Sequence, residues 1–147
     1  MELNQDFKEF IELLNEHKVE YLVVGGYAVG YHGHPRYTGD IDFWIAISKE
    51  NAQKVVNVLR DFGIGVLALQ AEDLIKEDTI IQLGYEPNRI DILTSVSGLN
   101  FEECYFQRIK AAFDDITVNF IDLRNLRKNK AASGRAKDLG DLENLPQ

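Results

Sequence analysis

Val23-Val24-Gly25-Gly26-Tyr27-Ala28-Val29, followed by Arg36-x-Thr38-x-Asp40-x-Asp42-Phe43-Trp44-Ile45, is the stretch from which the fold can be read. Val19 to Val24 is a β-branched and aromatic run that ends at a glycine pair, so it reads as a short buried strand entering a tight turn. A brief helix from Tyr27 to about His32 follows. Pro35 biases His34 away from helix, and His34 to Gly39 has turn chemistry. From Asp40 to Ile47 the residues alternate, with Ile41, Phe43, Ile45 and Ile47 on one face and Asp40, Asp42 and Trp44 on the other. That is a strand with one buried face.

Outward from this unit, Phe7, Phe10, Ile11 and Leu14 make residues 5 to 17 an amphipathic helix capped by Asn4. Ser48 caps a second helix with Ala52, Val55, Val56 and Leu59 as its apolar stripe, and Gly63 stops it. Residues 71 to 76 read as a short helix. Thr79 to Tyr85 and Arg89 to Leu93 are strands joined by the turn Glu86-Pro87-Asn88. Residues 101 to 113 are expected to be helical, residues 116 to 121 form a strand with Ile116, Val118 and Phe120 inward, and Asp122 caps a final helical region broken near Gly134. The order α β α β α, a β-hairpin, then α β α α implies an α/β fold of the α+β kind: a mixed β-sheet with helices packed on one face. A chain of 147 residues fits one domain spanning 1–147.

Composition removes several classes. The N-terminus MELNQDFKEF carries acids where a signal peptide carries a basic and then an apolar segment, and no stretch is long and apolar enough for a membrane span. A cytoplasmic protein is expected. Cys104 is the lone cysteine, so neither an intramolecular disulfide nor a cysteine zinc pattern is available, and it reads as a core residue. A net charge of −8 argues against nucleic-acid binding through a broadly basic surface. Within that acidic chain, Arg124, Arg127, Lys128, Lys130, Arg135 and Lys137 follow one another with no intervening acid. Any anionic ligand is expected there, although such a run is more often a solvated helix face, and removal of Lys130 is expected to leave the fold intact.

The acids carry the chemistry. Asp40 and Asp42, two apart on a strand, point to one side, and two like charges so placed repel unless a cation sits between them. Divalent cations such as Mg²⁺ prefer carboxylate oxygens and can clamp both oxygens of a phosphoryl displacement. In Arg89-Ile90-Asp91-Ile92-Leu93 a third acid stands on a strand whose other face is apolar, and Asp91 is the candidate to complete the site and take a proton. The Gly25-Gly26 turn offers bare backbone N–H groups to a phosphate, although a glycine pair alone is more often a plain tight turn.

Taken together, these residues resemble the nucleotidyltransferase superfamily related to DNA polymerase beta: a glycine pair opening a helix, Asp-x-Asp on the next strand and a third acid on a later one. The resemblance is closest to the small stand-alone nucleotidyltransferases of bacterial toxin–antitoxin and phage-defence pairs. It covers residues 22 to 47, 89 to 93 and 121 to 143, and includes the run Lys130, Ala132 to Lys137, Asp138, Leu139 and Asp141. It implies Asp40, Asp42 and Asp91 as catalytic residues and ligands of Mg²⁺ or Mn²⁺. It further implies Gly25, Gly26, Arg36, Thr38, Lys130 and Lys137 as nucleotide contacts. Many members carry Ser after the first glycine, and Gly26 leaves only backbone donors there.

The implied reaction moves a nucleoside monophosphate from a nucleoside triphosphate such as ATP to a hydroxyl on RNA, a protein or a small molecule, releasing pyrophosphate. The alternative is a nucleotidyltransferase fold kept as a binding module, one half of a toxin–antitoxin pair acting through a protein partner. A metal-dependent phosphohydrolase would call for a His-Asp cluster, and His17, His32 and His34 are scattered. Trp44 shares the side of its strand with the acids and is left unassigned.

Overall fold

The chain, seen in a computed structural model, is described over residues 3–35, 38–63, 69–85, 87–113 and 115–147. Helix α1 (Gln5–Glu16) starts where the Asn4 side chain accepts from the Phe7 amide at 2.8 Å, and it buries Phe7, Phe10, Ile11 and Leu14. Strand β1 (Tyr21–Val24) is buried along its length and runs straight into α2 (Gly25–Tyr31). After β2 (Ile41–Ile45) comes α3 (Lys49–Asp61), capped by Ser48 as its sequence predicts, and then a 3-10 turn over Ala71–Ile75. The remaining elements are β3 (Ile80–Leu83), β4 (Ile90–Leu93), α4 (Phe101–Phe106), β5 (Ile109–Phe113), β6 (Ile116–Phe120), α5 (Leu123–Ser133) and α6 (Ala136–Asn144).

The six strands form one mixed sheet in the order β3-β4-β2-β1-β6-β5. Three neighbouring pairs, β1–β2, β3–β4 and β5–β6, are antiparallel, whereas β2–β4 and β1–β6 are parallel. The parallel pairs bring strands distant in sequence to the middle of the sheet. Helix α1 covers the face of Phe43, with the Phe10 and Phe43 rings 5.4 Å apart, and α3 packs beside α1. The Trp44 face is covered too, because Phe101 of α4 meets the indole edge-on at 5.1 Å and Trp44 is 2% exposed. Trp44 is therefore a core residue. Cys104 is likewise buried, as its sequence predicts.

One element departs from the sequence expectation. The helix expected over 101 to 113 ends at Phe106, and Ile109 to Phe113 is instead the edge strand β5, antiparallel to β6. Ile109, Ala111 and Phe113 are its partly buried positions, a period of two, whereas Ile109, Ala112 and Phe113 in the same five residues have a helical spacing. Pairing with β6 decides between the two, helped by Asp115 in the left-handed region at φ 70° in the turn.

The last two helices are joined by a charged core. Gly134 ends α5 at φ 66°, letting α6 fold back on it. On the buried side of α5, Lys130 follows Leu126 by one turn, and its ammonium lies 3.0 Å from Asp138 and 3.3 Å from Asp141 of α6. Burial alone pushes the Asp138 carboxyl up, but hydrogen bonds from Ser133, Lys130 and Arg135 outweigh it and hold it at about 2. Lys130 is thus a buried partner and not part of a solvated helix face. Arg127 is also turned inward, donating to the carbonyls of Leu142, Leu145 and Pro146. Lys130→Ala removes the buried ammonium from between Asp138 and Asp141, and urea unfolding should show a loss of about 3–5 kcal/mol. A loss below about 1 kcal/mol contradicts the buried pairing.

Candidate active site

Two strands and one turn meet at the candidate site. The parallel register of β2 on β4 sets Asp42 opposite Asp91, and the antiparallel register of β1 on β2 sets Val24 opposite Asp42. The chain then turns at Gly25, whose φ of 69° favours glycine and whose missing side chain would otherwise collide with the Asp42 carboxylate. A side chain on Gly26 would come within 2.6 Å of the Thr38 hydroxyl, which donates to the Asp40 carbonyl at 3.2 Å. The glycine pair therefore lets the β1–α2 turn lie directly against Asp42 and Thr38.

Charge in this cluster is unevenly matched. Asp42 is half-buried, and its carboxyl is pushed up to about 6, first by burial, then by the charge of Asp91 and a hydrogen bond shared with it, and then by Asp40. Lys130 pulls the other way from nearby. Asp91, 6% exposed, is gripped by Arg89, with Nε at 2.7 Å from one carboxylate oxygen and Nη2 at 3.1 Å from the other. The same Nη2 reaches Asp40 at 3.3 Å, and the Arg89 amide donates to the other Asp40 oxygen at 3.0 Å. Sequence reasoning passed over Arg89. Its signal was there, since a residue two before Asp91 on a strand shares its face.

Two clefts border the cluster. One, of about 560 Å³, is walled by Gly25, Gln82, Leu93, Val96, Asn129 and Lys130 among others. The other, of about 420 Å³, is walled by Gly26, Thr38, Gly39, Asp40, Pro87 and Lys137. Asp42, Arg89, Asp91 and Arg135 line both, so the acids stand on the ridge between them. Of the residues expected from sequence, Gly25, Gly26, Thr38, Asp40, Asp42, Asp91, Lys130 and Lys137 are brought together here, while Arg36 lies outside the described residues. Glu86, expected in the β3–β4 turn, lies outside them as well.

Asp42 and Asp91 offer hard carboxylate oxygens side by side, the donor type that suits Mg²⁺ or Mn²⁺. Among the described residues no three acidic, histidine or cysteine side chains are gathered to share one ion, and Asp40 faces Arg89.

The chain matches no protein-family model and no curated protein by sequence. It is similar in structure to a solved chain described as the lincosamide antibiotic adenylyltransferase LnuA bound to lincomycin. The TM-score is 0.60 at 18% identity, over 97% of this chain and 96% of that one. At that identity the likeness is one of fold. The six-stranded mixed sheet with its helices is a nucleotidyltransferase fold, as the resemblance read from the sequence implies. No helix among the described residues is long and apolar enough to cross a membrane.

The elevated Asp42 carboxyl makes a pH prediction. Its folded value of about 6 lies above the ordinary 3.8, so the folded state holds the proton more tightly than the unfolded chain. That contribution to stability is complete below the unfolded value and is lost as pH rises through about 6. In EDTA, wild type should therefore lose stability relative to Asp42→Asn between about pH 4 and pH 7, read by urea unfolding. A difference constant across that range contradicts the shared proton.

Proposed function

We propose that this protein is a metal-dependent nucleotidyltransferase that moves a nucleoside monophosphate from a nucleoside triphosphate to a hydroxyl acceptor, releasing pyrophosphate. The observation that carries the reading is the Asp42–Asp91 pair, held in register on adjacent strands against the Gly25 turn of a nucleotidyltransferase fold. Carboxylates pressed together at the cost of a raised pKa are what a cation site requires and folding does not. Asp42 and Asp91, joined by Asp40, would hold Mg²⁺ or Mn²⁺. Bound there, the ion supplies charge neutralisation of the triphosphate and lowers the barrier to attack.

The chain's own groups take the remaining roles. The smaller cleft, with the Gly26 backbone, Thr38, Lys137 and Arg135, suits the triphosphate, because an anion needs donors and cations on its walls. Arg36 belongs with this group by sequence. Lys130, already bound to Asp138 and Asp141, acts on the nucleotide through its charge beside Asp42. Asp91, on the ridge between the clefts, is set to receive the acceptor's proton. The larger cleft mixes Ile80, Leu93 and Val96 with Gln82, Ser95 and Asn129, a lining and a volume that suit a small molecule better than a polymer. The structural neighbour's action on a lincosamide antibiotic agrees with a small-molecule acceptor.

The test is transfer of label from each of the four α-labelled nucleoside triphosphates, with Mg²⁺, to small hydroxylated compounds including aminoglycosides, to total tRNA and to cell protein. The expected result is a labelled small molecule with pyrophosphate released, and a loss of about 10²-fold or more in Asp42→Asn and in Asp91→Asn. Label in tRNA or protein would retain the chemistry and replace the acceptor. No transfer, with a protein co-purifying in constant ratio, would favour the binding module of a toxin–antitoxin pair.

A further inference from the structure

The floor of the larger cleft is graded from polar to apolar. Across β3 and β4, Gln82 lies opposite Asp91, and two residues along the same strands Ile80 lies opposite Leu93. Side chains two apart on a strand share a face, so the first row stands level with Asp42 and the second about 7 Å further on. Ile80, 60% exposed, is a large apolar side chain left open to the cleft, and Val96 extends the apolar side. The facing wall is fixed in place. Asn129 of α5 donates to the Ser97 carbonyl at 3.0 Å, and Gly98 lies so close to α5 that a side chain on it would come within 2.6 Å of Ala132.

The charged groups of this cleft are already matched. Among its described lining residues the carboxylates are Asp42, Asp91 and Asp138, and the cations are Arg89, Lys130 and Arg135. Arg89 grips Asp91, Lys130 and Arg135 hold Asp138, and Asp42 belongs to the proposed cation site. Each described carboxylate is thus engaged, and a divalent ion bound among the acids would repel an ammonium group brought beside it. Burying a charge without a partner is costly, whereas the carboxamides of Gln82 and Asn129 can meet hydroxyl groups.

We propose that the acceptor is an uncharged, hydroxylated small molecule of amphipathic build, its reacting hydroxyl at the row of Asp91 and Gln82 and its apolar portion on Ile80 and Leu93. This rests on the reading of the protein as a nucleotidyltransferase and narrows its acceptor. In the transfer, the acceptor oxygen bonds to the α-phosphorus while the bond from that phosphorus to the bridging oxygen of pyrophosphate breaks. The electron pair of the broken bond leaves with pyrophosphate, and the hydroxyl proton passes to the Asp91 carboxylate. Gln82 and Ile80 are then specificity-determining residues. Gln82 orients the hydroxyl beside Asp91, and Ile80 selects for the apolar portion because covering it takes apolar surface out of water.

The test compares acceptors that differ in charge and in apolar content. Transfer from each of the four α-labelled nucleoside triphosphates, with Mg²⁺, is measured to phenyl β-glucoside, methyl β-glucoside, kanamycin and glucose 6-phosphate. Binding of the Mg²⁺–triphosphate complex is measured separately by calorimetry. Phenyl glucoside should be labelled with a kcat/KM about tenfold above that of methyl glucoside, and the polycation and the phosphate ester should stay unlabelled. Ile80→Asp should lower kcat/KM for phenyl glucoside about tenfold and allow kanamycin to be labelled. Gln82→Glu should move the two acceptors in the same directions, and it carries the test if Ile80→Asp does not fold. Three results overturn the inference while the proposed function stands: kanamycin or glucose 6-phosphate preferred by wild type, a phenyl preference untouched in both variants, or no labelled glucoside from protein that binds the Mg²⁺–triphosphate complex. Protein that does not bind that complex takes both readings down.

Discussion

Ile41 and Phe43 lie opposite Ile90 and Ile92 where β2 runs parallel to β4, and burying these four side chains locks the register that brings Asp42 level with Asp91. Each such side chain contributes about 1.5–3 kcal/mol on leaving water, so the apolar face can hold two carboxylates together against their repulsion. A slip of β4 by one residue would turn Asp91 to the face of Phe43 and Ile90 and Ile92 away from it. The remaining features of the site follow from that pairing. Gly25 has to be glycine because Asp42 stands where its side chain would go. Arg89 reaches Asp91 because it precedes it by two, in the chain leading directly into β4.

Cations then divide the acids between two centres. Arg89 binds Asp40 and Asp91, leaving Asp42 to share a proton, and Lys130 binds Asp138 and Asp141 a short way off. The second centre is structural: it ties α5 to α6, and these helices contribute Lys130, Ser133, Arg135 and Lys137 to the cleft walls. The C-terminal helices thus form a wall of the site through an ion cluster that is itself buried. This explains how an acidic chain can present cations to an anionic ligand, by concentrating them on one wall.

Much of this was legible in the residues. Asn4, Ser48 and Asp122 each announce a helix start, and Gly134 a stop, because side-chain caps and left-handed glycines act locally. The alternation of β2 separated its core face from its acidic one, and Asp91 could be placed beside it on chemical grounds. What local pattern does not contain is partnership. Ile109 to Phe113 satisfies helix and strand periods alike, and only β6 chooses between them. The basic run from Arg124 to Lys137 reads as one patch, yet Arg127 and Lys130 turn inward because carbonyls and carboxylates of the C-terminal segment await them. Asp40 falls just before β2 begins at Ile41, so it is free to face Arg89 instead of aligning with Asp42.

The proposed function requires Asp42 and Asp91 to form a cation site made by strand register. Anomalous diffraction at the manganese edge, from crystals grown with Mn²⁺ and a non-hydrolysable nucleoside triphosphate, tests it most directly. The expected result is a peak touching carboxylate oxygens of both Asp42 and Asp91, with the triphosphate in the cleft of Gly26, Thr38 and Lys137. Nucleotide bound elsewhere, or in that cleft with no manganese between the two acids, would contradict it.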